Sequence, residues 1–577
     1  MQNYEESVSF LGTWGRFQRR VFLLLCLTAI PSGYNILCVM FLLASPPHHC
    51  HVPVHSNLSQ DWIQAVIPVQ MEAGQPERSS CSRYELDVVQ NLSAWGFTPS
   101  LGPAHNLSVL GSGPGVLLSG LKQESCKDGW IYSTEYYEST VVTEFNLVCG
   151  DQWKQPLTSL AYFLGGLCGC LVSGQISDRV GRKPVLFSAI AMLSVFSSAV
   201  AFAPSWPVFT LLFFMTGVGQ LASYIAVFVL GSELLVGSTR VLFSGLCLPA
   251  VYVSGMMLLP GTAYLVTNWR HLSLIMTVPG LACMPLWWLI PESPRWLVSC
   301  GRFQEAELLL KSAALENRVE APQVIFLSAK VEKEESREAE SLSFLDLLRT
   351  SNIRNVTFKL WLIWFSLSVS YFGLSFNLSS LYGNPFLNYF LLSAVELPAY
   401  LASCVAACSL PRRLSYISFI LLGALALLLV QITLHSYASL TLTLVLIGKF
   451  GILAGTGVLY MSTGELFPTV IRNTAMSSCA MFSRVGSSVS PYLLQLAVFY
   501  QFLPWIIVGS LSLLSVLLCF FLPETFRQPL TDTIEQMPTT QQSVCSWPWA
   551  STAPSKDDGK STKDQTTAPE IICTTRL

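Results

Sequence analysis

Pro291-Glu292-Ser293-Pro294-Arg295-Trp296-Leu297 closes one apolar stretch of the chain, and Pro523-Glu524-Thr525 closes another 232 residues further on. The same offset carries Glu233 onto Glu465, Arg240 onto Arg472 and Gly219 onto Gly451. One match at a fixed spacing arises easily by chance; four together make an internal duplication. Each landmark lies in or at the end of an apolar run, so the duplicated unit is a set of membrane helices. Two parallel sets with a binding site where they meet form one of the architectures of secondary transporters.

The composition agrees. Of 577 residues, 51% are hydrophobic and 12% charged, against about 25% charged in a soluble domain. The net charge is −2, from 33 basic and 35 acidic residues, which gives nucleic acid nothing to bind. The chain carries no nucleophile–base motif, no spaced set of metal ligands and no phosphate-binding loop, so neither an enzyme nor a metal or cofactor protein is expected. A channel needs no two-half repeat with charged pairs. Runs of about 20 apolar residues, enough to cross a bilayer, start near Arg20, Pro156, Pro184, Trp206, Val241, His271, Val356, Pro385, Leu414, Ser439, Thr474 and Leu503. The expected fold is all-α and polytopic, with twelve transmembrane helices in two parallel six-helix halves. Its expected parts are an N-terminus over 1–20, a first helix over 21–43, a loop over 44–151, helices 2–6 over 156–291, a linker over 292–355, helices 7–12 over 356–523 and a tail over 524–577. The first run is too long for a signal-peptide core, and no clean cleavage site follows it.

Basic residues orient the chain. Arg179, Arg182 and Lys183 follow the second run, Arg412 and Arg413 the eighth, and Arg472 the tenth. Threading twelve spans puts them on one side, which the positive-inside rule makes cytoplasmic, together with both termini. Residues 44–151 are then extracellular, and they hold glycosylation sequons at Asn57, Asn91 and Asn106. The same segment holds Cys50, Cys81, Cys126 and Cys149, which predicts up to two disulfides with three connectivities open.

Gly174-Gln175-Ile176-Ser177-Asp178-Arg179-Val180-Gly181-Arg182-Lys183 resembles the loop between helices 2 and 3 of the major facilitator superfamily. In that reading Asp178, Arg179 and Arg182, with the pairs Glu233–Arg240 and Glu465–Arg472, form a cytoplasmic gate of charges that rearrange during rocking. Pro291 to Leu297 is similar to the signature of sugar and organic-ion porters. Glu124 to Trp130, Thr143 to Cys149 and Tyr4 to Arg19 resemble the organic cation, anion and zwitterion transporter family. Phe10-Leu11-Gly12, Ile290 to Leu297, Ile353-Arg354 and Gly448-Lys449-Phe450-Gly451 are most similar to its carnitine and organic cation branch. The resemblance runs from Tyr4 to about Met537 and implies a plasma-membrane carrier of small zwitterions or organic cations working by alternating access. Carnitine is the first expectation; ergothioneine and a simple organic cation are the alternatives. A sensor that binds such a solute without moving it would carry the same features.

Ionisable residues inside spans are costly and therefore candidates for function. Glu396, Lys449 and Arg484 stand out. Arg484 sits about ten residues into its helix, and a guanidinium there offers a bidentate fork to a carboxylate. The family resemblance associates an acid at this position with cation carriers and a base with anion carriers, so Arg484 beside aromatic rings suits a zwitterion. The alternative is an interior salt bridge to Glu396 or another acid. A trimethylammonium group is held by aromatic faces, for which Tyr224, Trp364, Tyr371 and Phe450 are candidates, with Gln220 as a buried amide beside Tyr224.

Sodium is the coupling ion that the resemblance implies, through Gln220, Glu465 and two asparagines. This chain departs from the pattern at both asparagines, with Ser32 in Pro31-Ser32-Gly33-Tyr34 and Ser223 before Tyr224. A serine hydroxyl reaches less far than an amide carbonyl, so weak or absent coupling is expected, with Asn35 one turn from Ser32 as a partial substitute. The last residues, Thr574-Thr575-Arg576-Leu577, fit a PDZ-type scaffold that captures a C-terminal carboxylate.

Overall fold

The computed structural model describes residues 8–53, 58, 60–72, 75–95, 97–100, 115–117, 121–322, 325, 346–378, 383–434, 437–468, 471–497, 500 and 502–526. Among them, eleven helices are long and apolar enough to cross a bilayer. The first six are Arg16–Leu42, Cys149–Val180, Arg182–Val200, Trp206–Leu234, Ser238–Leu265 and Trp269–Trp288. Ser351–Asn377, Pro385–Ser409, Arg412–Thr433, Ala438–Leu466 and Leu503–Phe520 follow. The first begins at Arg16 rather than Val21, and the second at Cys149 rather than Pro156.

The expected eleventh span is present as the helix Arg472–Val489, but it is not among the apolar ones. It holds Arg472, Arg484 and five serines, and a helix so polar turns that side to protein or water rather than to lipid. The first span is broken at Ala29 and Leu37 into Arg16–Thr28, Ile30–Ile36 and Cys38–Leu42. Its middle piece carries Ser32 and Asn35. The fifth contains a π-helical turn over Phe243–Cys247 and a proline at Pro260.

The chain forms two compact units. One comprises residues 1–334, 375–394 and 487–504, and the other 335–374, 395–486 and 505–577. In the first unit the fourth span packs on the second and third; in the other, the tenth packs on the ninth. The duplication is visible in this packing. A Cβ on Gly219 would lie 2.7 Å from the backbone N of Leu193 in the third span, and one on Gly451 2.8 Å from that of Gly423 in the ninth. Both contacts bring backbones close enough that only glycine fits.

Residues 44–151 add structure that an all-α expectation omitted. Four two-stranded sheets of three or four residues per strand form there, including His48–Cys50 antiparallel to Trp130–Tyr132 and Ser82–Tyr84 antiparallel to Gln123–Ser125. Trp62, Val66, Ile67, Tyr84 and Val89 make a small core beneath them. Of the three connectivities, the structure has Cys50–Cys126 and Cys81–Cys149. Buried Arg83 ties the segment together through Glu124 at 3.0 Å, Asp128 at 2.6 Å and the carbonyl of His51 at 2.8 Å. Asn91 is exposed on the helix Leu86–Ala94; Asn57 and Asn106 lie outside the described residues.

Candidate substrate and gating sites

Three helices of the second unit converge on one buried charge pair. Glu396 in the eighth span is 1% exposed and Lys449 in the tenth 0%, with Lys449 Nζ 3.2 Å from Glu396 Oε1. Tyr371 of the seventh span donates its hydroxyl to the same oxygen at 2.6 Å, and the ammonium lies 3.2 Å from the centre of the Tyr371 ring. The buried acid is thus paired with Lys449. The Tyr371 ring, expected to face a ligand ammonium, has an internal ammonium on one face. Trp364 donates to Thr463 Oγ1 at 3.3 Å and meets Tyr460 edge to face. Phe450 meets Phe419 at 6.2 Å. Tyr371 and Phe450 both pack on the cluster of Ala399, Leu453 and Ala454. Arg484, half-buried on the polar helix Arg472–Val489, belongs to the same unit.

The first unit holds a second polar cluster. Ser32 and Ser223 are fully buried, and their hydroxyl oxygens are 2.5 Å apart. Both hydroxyls also reach the carbonyl of Gln220, at 3.1 and 2.9 Å. The Gln220 amide donates to the carbonyl of Ser32 at 3.2 Å and to Tyr252 Oη at 3.4 Å. Tyr252 stands edge-on to Tyr224, with ring centres 4.8 Å apart. Asn35 donates to the carbonyl of Pro31 at 2.9 Å and accepts from Ser197 at 3.3 Å. Gln220, Ser32, Ser223 and Tyr224 therefore lie in one network through Tyr252, whereas Asn35, on the same short helix as Ser32, bonds to Pro31 and Ser197, and Glu465 is in the other unit.

The expected gate pairs exist with different bases. Glu233 pairs with Arg182 at 3.0 Å, and Arg182 also holds Asp178 at 2.5 Å. Glu465 pairs with Arg412 at 2.9 Å and accepts from Thr525 at 2.7 Å. Arg240 and Arg472 instead donate through Nε to the carbonyls of Leu235 and Phe467, at 3.0 and 3.3 Å, where the fourth and tenth helices end. An arginine a few residues past a helix end is placed to hydrogen-bond its last free carbonyls. Arg179 is exposed. Each half finishes the arrangement alike: Glu292 accepts the backbone N–H groups of Arg182 and Lys183 at 3.0 and 3.1 Å, and Glu524 those of Arg412 and Arg413 at 2.9 and 3.0 Å. A carboxylate at the first turn of a helix compensates its dipole, and here it pins the last loop of each half to the third or ninth span.

Residues 121–537 match the family model described as sugar (and other) transporter. The chain belongs to that family. Within it the chain is 44% identical to human organic cation/carnitine transporter 2 over 93% of this chain and 94% of that one. It is 43% identical to mouse solute carrier family 22 member 4 over 93% and 95%, and 32% identical to the Drosophila melanogaster organic cation transporter protein over 92% and 94%. The family member is thus of the organic cation and carnitine branch, a multi-pass membrane transporter and not an enzyme. The fold agrees with that of the xylose transporter XylE from E. coli. Its partially occluded inward-open form gives a TM-score of 0.56 at 13% identity, over 88% of this chain and all of that one. Its inward-open form gives 0.53 at 16%, over 65% and 88%.

Sequence reasoning missed three participants. Tyr252 carries no signal beyond being an aromatic in an apolar run. Arg412 is repeat-equivalent to Arg182, but at an offset of 230 rather than 232, so a fixed spacing passes it by. Phe386 is the third; in the first unit it meets Phe41, Tyr137 and Tyr264 at 5.9, 5.4 and 5.7 Å, bringing together residues more than a hundred positions apart.

Proposed function

We propose that this transporter moves small zwitterions carrying a carboxylate and a quaternary ammonium, carnitine first among them, across the plasma membrane by alternating access, with little or no coupling to sodium. The observation that carries the substrate reading is the neutralised acid. A buried carboxylate that would attract a simple cation is held by Lys449 at 3.2 Å, so a net cation gains less there than in a site with an unspent acid. In this reading Arg484 receives the carboxylate, and aromatic faces among Tyr224, Trp364, Tyr371 and Phe450 receive the ammonium. The names of the relatives, organic cation/carnitine transporter 2 among them, support the class.

The reading on sodium is supported by the Ser32–Ser223 contact at 2.5 Å. Two hydroxyls spent on each other and on the Gln220 carbonyl offer a hard cation less than two amide carbonyls would. The side carrying Arg182 and Arg412 is proposed as cytoplasmic, residues 44–151 as extracellular with glycosylation at Asn91, and the C-terminal tail as a scaffold ligand; the tail lies outside the described residues. Initial uptake of carnitine, ergothioneine and tetraethylammonium, each with sodium and with an inert cation in its place, tests the proposal. Carnitine is expected to lead the panel and to change less than twofold with sodium. Preference for tetraethylammonium overturns the substrate reading, and a several-fold loss without sodium overturns the coupling reading.

A further inference from the structure

His48, Cys81 and Cys149 meet between the first two spans of the first unit, with His48 Nε2 and the two sulfurs all within 4.8 Å of one another. The three lie 33 and 68 positions apart, so no ligand spacing in the sequence marks them. The imidazole is held as a metal ligand is held. A carbonyl can only accept, so the 3.2 Å contact between His48 Nδ1 and the Pro46 carbonyl puts the ring proton on Nδ1. The lone pair of the neutral ring is then on Nε2, a buried atom with no hydrogen-bond partner among the described residues, beside the two sulfurs. His48 also faces Tyr132 across its antiparallel strand pair, with ring centres 5.6 Å apart. Donation of the second nitrogen to a backbone carbonyl is what orients a metal-ligating histidine. Packing accounts for the ring beside Tyr132 but not for a buried nitrogen left unpaired against two sulfurs.

The sulfurs are joined as the Cys81–Cys149 disulfide, whereas a metal takes thiolates. The two disulfides of the segment differ in access: Cys81 is exposed, while Cys50 and Cys126 are 0% and 7% exposed. Exposed disulfides are the ones that thiols open. We infer that His48, Cys81 and Cys149 form a zinc site once a small thiol such as glutathione has reduced their disulfide. Two thiol molecules supply two electrons and two protons: the Cys81–Cys149 bond breaks, the two thiol molecules join as a disulfide, and each cysteine sulfur takes one proton. Zinc then releases both protons to solvent and accepts the Nε2 lone pair. A divalent ion on two thiolates and a neutral imidazole carries no net charge, and this donor set suits zinc. With Zn–S about 2.3 Å and Zn–N about 2.0 Å, tetrahedral donors stand about 3.5–3.8 Å apart, inside the 4.8 Å that bounds the three atoms here. Water takes the fourth position, as in other sites with three protein ligands. His48 follows the first span and Cys149 begins the second, so the metal replaces the tie that the opened disulfide gives up. The chemistry is the same whichever side of the membrane carries the segment.

The test uses the purified full chain in a neutral detergent, either oxidised or treated with glutathione and desalted without oxygen, then titrated with zinc and freed of the excess. Differential alkylation read by mass spectrometry is expected to find Cys81 and Cys149 opened while Cys50–Cys126 stays closed. Elemental analysis is expected to find one more zinc per reduced chain than per oxidised chain, a difference that cancels metal held by the other cysteines. Zinc should raise the thermal unfolding midpoint of the reduced chain and leave that of the oxidised chain unchanged. His48→Asn should weaken the additional zinc by roughly tenfold or more, and Cys81→Ser with Cys149→Ser should abolish it. Should the double variant fail to fold, His48→Asn decides, because it retains both disulfides. No additional zinc in the reduced chain, unchanged affinity in His48→Asn, or a Cys81–Cys149 bond that opens no earlier than Cys50–Cys126 overturns the inference.

Discussion

Replacing Lys449 by Met removes the positive charge paired with Glu396, a residue 1% exposed whose carboxylate is 3.2 Å from the ammonium. At that distance, with an effective dielectric constant of about 20, the attraction is roughly 5 kcal/mol, and the Tyr371 ring beneath the ammonium adds about 2 kcal/mol. Desolvating two ions offsets much of this, so the pair as a whole contributes little net stability, but breaking it from one side strands a buried charge at a cost of about 3–5 kcal/mol. The single variants Lys449→Met and Glu396→Gln are therefore each expected to lower the thermal unfolding midpoint by several degrees. The double variant should recover most of the loss, because neither stranded charge then exists. Tryptophan fluorescence of the purified chain during heating reads all four proteins in one cycle. If the losses simply add, the two residues act independently and the neutralised-acid argument for zwitterion selectivity fails with them.

Arg484→Ala should abolish uptake of carboxylate-bearing zwitterions while leaving tetraethylammonium within a few-fold, since only the former loses a bidentate partner; equal loss for both makes Arg484 structural. Tyr224→Ala should raise the apparent Michaelis constant for quaternary ammonium substrates more than Tyr224→Phe, because phenylalanine keeps most of the ring quadrupole. If the two are equally impaired, the hydroxyl is the contact. Ser32→Asn with Ser223→Asn replaces two mutually bonded hydroxyls by amide carbonyls and should introduce sodium stimulation of uptake, read as the ratio of initial rates with and without the ion. A ratio unchanged from wild type removes these positions from ion handling.

The duplication was legible because its landmarks are residue types with one use. Gly219 and Gly451 sit where backbones meet, Glu233 and Glu465 where a base must answer, and Glu292 and Glu524 where a helix start needs an acid. The identity of the answering base was not legible: Arg240 lies seven positions from Glu233 and Arg182 lies 51 away, yet the packing of the third span against the fourth brings Arg182 to it at 3.0 Å. Glu396 and Lys449 could be marked as costly in a membrane, yet they lie 53 positions apart and nothing local pairs them. The strands of residues 44–151 escaped because three or four residues barely establish an alternation; disulfides and the buried Arg83 tie the segment together. The helix Arg472–Val489 stands where the sequence suggested an eleventh span, although it is too polar to be recognised by apolarity alone.

The most direct test of the account is accumulation of labelled carnitine in proteoliposomes that hold only the purified chain, with sodium absent on both sides and protein-free liposomes as the control. The account predicts saturable entry into the lumen at a rate within twofold of that with sodium. Binding to the protein without luminal accumulation would contradict it and make the chain a sensor rather than a carrier.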